Sequence, residues 1–206
     1  MASVEPLLIL DTNGCAGFTG TGTGAAHRPP AITIPSAENR STAMSTTPAP
    51  PITPVQRLAD LGHVLPTPAA GAYSYDPVLV RGDLAHVSGQ IPRRDGDIAF
   101  TGPVRTDAEA ARGREAAELC ALNALAQIER AVGLDRVAQL LKLQVYVASG
   151  PDFADQPAVA EGASRLLRAA LGEAGRHART AIGVPRLPKN ATVEIDLELA
   201  LHPAAH

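Results

Sequence analysis

The chain has 206 residues, with 21 acidic and 18 basic side chains and a formal net charge of −3. That length fits one domain, or one domain with a tail. The mild acidity argues against a partner held through nucleic-acid phosphates, because such domains are usually basic, and no stretch approaches the ~20 apolar residues that cross a bilayer. Aromatic residues make up only 3 % of the chain, so its core must be built from Ala, Val, Leu and Ile. The apolar run Pro6-Leu7-Leu8-Ile9-Leu10 is too short, and has no basic residue before it, to read as a signal peptide. Cys15 and Cys120 are the only cysteines, at no metal spacing, which points to a reduced, cytoplasmic protein without a disulfide.

Residues 1–53 show no sustained periodicity. They hold a Gly/Thr run at 14–24 and a Pro/Ser/Thr run at 35–54. Such a composition buries too little apolar surface to offset its ordering entropy, so it is expected to be disordered. Met44 precedes Ser45-Thr46-Thr47 and reads as an alternative start, with the first 43 residues over-assigned. From Thr53 the texture changes. Thr53-Pro54 to Gly62 reads as a short helix, with a Thr cap, Pro in the first turn and Gly at the end. Residues 78–80 and 84–88 are β-type runs around Arg81-Gly82-Asp83, which predicts a hairpin. Arg94-Asp95-Gly96-Asp97 is a further turn.

Thr106-Asp107-Ala108-Glu109 reads as a capping box that opens the longest helix. Ala117, Cys120, Ala124, Ile128 and Ala131 form its apolar face, and Gly133 closes it. Leu141, Leu143, Val145 and Val147 alternate with Lys142, Gln144, Tyr146 and Ala148, giving a strand. Residues 151–171 hold a second amphipathic helix, with Val159, Ala163, Leu166, Leu167 and Ala170 inward. Thr180, Ile182 and Val184 belong to one strand of period two. Val193, Ile195, Leu197, Leu199 and Leu201 belong to another, opposite Glu194, Asp196 and Glu198. The order β-β-α-β-α-β-β predicts an α+β fold: a two-layer mixed β-sheet with two helices on one face. The other sheet face stays open, and association of subunits is the simplest way to cover it.

Four segments, in this order and spacing, resemble the RidA (YjgF) family. They are Tyr75-Asp76-Pro77 before the hairpin; Ser88-Gly89-Gln90-Ile91-Pro92; the long helix to Gly133 with the strand through Lys142 to Val147; and Ala178-Arg179-Thr180, Leu187-Pro188 and Val193-Glu194-Ile195-Asp196. The resemblance spans residues 54–203. It implies a chorismate-mutase-like fold and a homotrimer with clefts between subunits. It also implies hydrolysis of reactive enamines and imines to a 2-keto acid and ammonia, with no metal or organic cofactor. The longer second helix and loop, with Gly172 to His177, resemble a divergent branch.

The resemblance makes Arg179 the grip for a substrate carboxylate. A planar guanidinium offers two parallel donors that match a carboxylate's two oxygens. The plain alternative is a surface Arg paired with an acidic neighbour. Glu194 matches the family's acidic residue near the attacking water, where a carboxylate can take and return a proton; strand alternation alone explains it equally well. Tyr75 matches the cleft tyrosine, with Tyr73 a nearby competitor. Ser88 and Gly89 bring backbone close to the ligand, because Gly lacks a side chain; the alternative is a strand end turning into Gln90-Ile91-Pro92.

Two positions depart from the family pattern. Ala181 stands where a Cys is common, and Glu161 is nearest to a common Asn. A negative charge there changes which substrates fit. The six histidines are scattered without convincing ligand spacing, so no metal site is expected. Two function classes remain: an imine/enamine deaminase, and a regulatory trimer that binds small carboxylates without turning them over. Ribonuclease activity ranks third, since no basic groove or acid/base histidine pair is visible.

Overall fold

The computed structural model describes residues 52–68 and 73–203. The expected disorder of the N-terminal extension and the alternative start at Met44 fall almost wholly outside these residues. In chain order the elements are α1 (Pro54–Asp60), β1 (Val78–Arg81), β2 (Leu84–Gln90), β3 (Arg93–Arg94), β4 (Asp97–Ile98), α2 (Ala110–Ala131), β5 (Val137–Ala148), α3 (Gln156–Leu171), β6 (Ala178–Val184) and β7 (Val193–Leu201). Five strands form one sheet in the order β1-β2-β7-β5-β6, and β3-β4 is a separate two-stranded ribbon. All sheet pairs are antiparallel except β5 with β6, which is parallel and bridged by α3. The fold is therefore the expected α+β arrangement with a mixed sheet.

Local chemistry sets most boundaries. Thr53 caps α1 by accepting a hydrogen bond from the Gln56 amide at 3.2 Å. Asp155 does the same for α3, accepting from the Ala158 amide. Asp95 and Gly96 link β3 to β4 with positive φ at both central residues (52° and 91°), the backbone that matches strand twist in a two-residue hairpin. Gly133 ends α2 at φ 83°.

Both long helices pack on one sheet face. Val193, Ile195, Leu197, Leu199 and Leu201 all point there and are buried. The five inward residues expected of α3 are buried too. The helices approach closely because α3 carries Gly162, where a Cβ would overlap the Arg114 carbonyl of α2. The opposite face carries Glu194, Asp196 and Glu198, with Lys142, Gln144 and Tyr146 beside them. It also exposes Leu79, Leu84 and Ile182, each about half accessible.

Three expectations need correction. The capping box does not close: the Thr106 side chain makes no cap bond, and Glu109 reaches past it to accept from the Arg105 amide at 2.6 Å. A 3-10 turn precedes α2, and this moves the carboxylate one residue back. Ala131, the last residue of α2, is exposed. Leu141 points outward at 40 % exposure, while Leu140 takes the core position. A register shift between β5 and β7 at Leu140–Lys142 interrupts the alternation there.

Candidate functional site

The β2–β7 pairing breaks at Ser88 and Gly89. Val87 pairs with Leu197 and Gln90 with Ile195, so Ser88 and Gly89 together oppose Asp196. Two residues facing one form a β-bulge, a device that re-aims the strand. Ser88 turns its hydroxyl toward the Pro77 carbonyl at 3.2 Å, and Gly89 is brought against the Glu194 carboxylate. A Cβ at position 89 would overlap that carboxylate, so any other residue there would have to displace the Glu194 side chain.

Glu194 opens onto a cavity of about 450 Å³. Tyr73, Tyr75, Ser88 and Gly89 also line it, so four of the five expected site residues meet here. Both tyrosines are present, and neither displaces the other. Burial, and then the charge of Asp196, hold the Glu194 carboxyl above the usual carboxylate range. Asp196 itself accepts a hydrogen bond from Gln144 at 2.6 Å.

The cavity also takes residues that the sequence reading missed: Asn123 and Gln127 from α2, Arg93, and Lys189. Asn123 donates to the carbonyls of Ile91 (3.3 Å) and Arg93 (3.1 Å), tying α2 to the segment after β2. A signal was available, since Asn123 and Gln127 are buried polar residues one turn apart on an otherwise apolar helix face. Lys189, which lines the cavity, and Asn190 after it adopt left-handed backbone (φ 54° and 58°).

Arg179 stands elsewhere. It lies on β6, the edge strand, in register with buried Leu143, and its side chain reaches α3. One guanidinium nitrogen donates to Glu161 at 2.9 Å and to Ser164 at 3.0 Å. This neighbour holds the Glu161 carboxyl below the usual range, against the opposing effect of burial and with help from Arg165. His177 contacts Ser164 at 3.0 Å and borders a second cavity, of about 690 Å³, with Arg168 and Arg176. Within one chain, then, Arg179 does not line the Glu194 cavity. β5 separates their strands, and the two side chains leave opposite sheet faces. Among the described residues, no group of three or more His, Cys, Asp or Glu side chains could hold a metal ion, and no helix is long and apolar enough to cross a membrane.

These features define a two-layer α+β protein with a carboxylate-bearing cavity at a bulged sheet end and a cation on its free edge. The model of the YjgF/chorismate mutase-like family of endoribonuclease-type proteins matches residues 55–200, and the chain belongs to that family. It is 43 % identical over 147 residues to Protein TCP17 of Trypanosoma cruzi, covering 70 % of this chain and 92 % of that protein. Two solved structures are also similar. Atu1372 of Agrobacterium tumefaciens, a protein of unknown function, is 44 % identical with a TM-score of 0.66, covering 72 % of this chain and 92 % of its own. A protein of Shewanella oneidensis, described as a candidate endoribonuclease, is 34 % identical with a TM-score of 0.70, covering 72 % and 99 %.

Proposed function

We propose that this protein hydrolyses reactive enamines and imines to 2-keto acids and ammonia, in clefts between three copies of the chain. The carrying observation is the half-buried Glu194 carboxylate, fixed against Gly89 at the wall of a cavity that Tyr75 also lines.

The chemistry follows from that placement. An enamine first tautomerises to its imine. Water then adds to the carbon of the N-protonated imine, while Glu194 takes a proton from the water. The resulting carbinolamine carries one hydroxyl and one amine on the same carbon. Glu194 passes that proton to the amine, the C–N bond breaks as the hydroxyl oxygen's electrons form the C=O, and the hydroxyl proton moves through Glu194 to the departing ammonia. A carboxyl held above its ordinary range suits this role, because the more basic carboxylate takes a proton from water more readily than an exposed one would. Tyr75 and the backbone at Ser88 and Gly89 border the space for the substrate.

Arg179 supplies the carboxylate grip from a second copy. Its place on the free edge of the sheet, away from the Glu194 cavity, supports a cleft built by two subunits. The half-exposed Leu79, Leu84 and Ile182 on the helix-free face give three copies an apolar surface to share. The net charge of −3 disfavours a nucleic-acid partner, and the buried free thiol of Cys120 suits a cytoplasmic setting.

A second reading is favoured by one contact. Glu161 already occupies part of Arg179, and this suits a regulatory trimer that holds small carboxylates without turning them over. A coupled assay separates the two. An amino-acid oxidase generates 2-iminopropionate, which semicarbazide traps. The deaminase reading expects the wild type to compete with the trap and slow semicarbazone formation more than Arg179→Ala or Glu194→Gln. Equal silence of all three, with pyruvate still bound by the wild type, supports the regulatory reading.

A further inference from the structure

Resting on the reading of Arg179 as the carboxylate grip, we propose that Glu161, Ser164 and His177 are positioning residues for it. They saturate the Nη1 nitrogen of Arg179 and leave its Nε–Nη2 edge as the face that meets the ligand.

The argument is a count of hydrogens. Nη1 carries two N–H groups. One points to Glu161 Oε2 at 2.9 Å and the other to Ser164 Oγ at 3.0 Å, so this nitrogen has nothing left to offer. The second oxygen of Glu161 accepts from Arg165 Nε at 3.3 Å, one turn along α3, and this anchors the carboxylate. Ser164 accepts from Arg179, so its own hydrogen needs another acceptor. His177 Nε2 lies 3.0 Å away. The other ring nitrogen, Nδ1, is 2.7 Å from the Gly175 carbonyl, which can only accept. These partners assign the ring hydrogen to Nδ1 and leave Nε2 as an acceptor. Each bond in the chain therefore has a fixed direction, from His177 donating to Gly175, through Ser164 donating to His177, to Arg179 donating to Ser164 and Glu161.

The setting supports the same conclusion. Ser164 is only 6 % exposed and sits on the inward face of α3, where packing alone would favour an apolar residue. The Arg179 side chain is 26 % exposed, so it is not closed off from solvent. The Nε–H and the Nη2–H beside it are parallel donors, the geometry that receives a planar carboxylate in two bonds. A long side chain ordered before the ligand arrives loses less freedom on binding.

The test reads the guanidinium directly. In ¹⁵N-labelled protein, the Arg179 signals are assigned by their loss in Arg179→Ala. Slow rotation should give the wild type separate signals for its two Nη nitrogens. These should merge in Ser164→Ala and in Glu161→Ala, the latter at a side chain exposed enough to leave the core intact. The dissociation constant for pyruvate, measured by calorimetry, should rise about tenfold in each, the loss expected for one hydrogen bond to a charged group. Ser164→Thr, which keeps the hydroxyl, should restore both readouts at any thermal stability. Nη signals and pyruvate affinity that stay at wild-type values in both alanine variants would overturn the proposal. So would tighter binding in Glu161→Ala, which would make Glu161 a competitor rather than a support. Merged signals in the variants of a protein that never binds pyruvate would uphold the positioning chain and remove the carboxylate reading of Arg179.

Discussion

Gly89 and Glu194 are in contact across the β2–β7 bulge, so closely that no side chain can stand at position 89 without moving the carboxylate. The contact is steric, and its consequence is chemical. Gly89→Ala should leave the fold intact but push the Glu194 side chain out of its seat. A displacement of about 1 Å at a reacting group can cost on the order of 10²-fold in rate. The expected outcome in the coupled semicarbazide assay is a drop of that order in kcat, with the melting temperature little changed.

Glu194→Gln keeps the shape of the side chain and removes its ability to take a proton. If Glu194 is the general base, kcat should fall by roughly 10²–10⁴-fold. Retention of more than half the wild-type kcat would remove Glu194 from the chemistry.

The pH profile gives a second view of the same group. Base catalysis requires the ionised carboxylate, so activity is present above the Glu194 pKa and lost as pH falls through it. Burial, followed by the Asp196 charge, raises that pKa. The acid limb of kcat/KM should therefore lie above the ~4.3 of an ordinary Glu. Asp196→Asn removes the like charge and leaves the burial, so the limb should move to lower pH while remaining above the ordinary value. Movement to higher pH would contradict the assigned cause.

Asn123 joins α2 to the carbonyls of Ile91 and Arg93, two residues that line the cavity. Asn123→Leu leaves both without that donor, in a part-buried site. Chemical denaturation should show a loss of about 1–3 kcal/mol, and turnover should weaken as the segment after β2 loosens.

How much of this was legible in the sequence differs by element. β7 was read correctly because one face is core and the other polar, so its alternation is unbroken from Val193 to Leu201. β5 was misread at Leu141, because adjacent leucines at 140 and 141 offer two registers and only the pairing with β7 selects one. Tyr75, Ser88, Gly89 and Glu194 were found together because a motif carried them, but the bulge that brings Gly89 to Glu194 has no signal in residue types. The separation of Arg179 from that cavity was also invisible. Strand alternation says which residues share a face of one strand, but it does not say toward which layer that face turns. Glu161 was noticed as a departure, and its meaning came only from its contact with Arg179.

The central claim is that one functional cleft joins Arg179 of one copy to Glu194 of another, and mixing two inactive variants tests it most directly. Arg179→Ala and Glu194→Gln proteins are each assayed alone, then unfolded together in equal amounts and refolded. In a closed ring of three, about a quarter of the clefts would receive an intact Arg179 and an intact Glu194 from neighbouring copies. The account predicts that activity returns to about that fraction of wild type. A mixed assembly that forms but stays as inactive as either parent would contradict it.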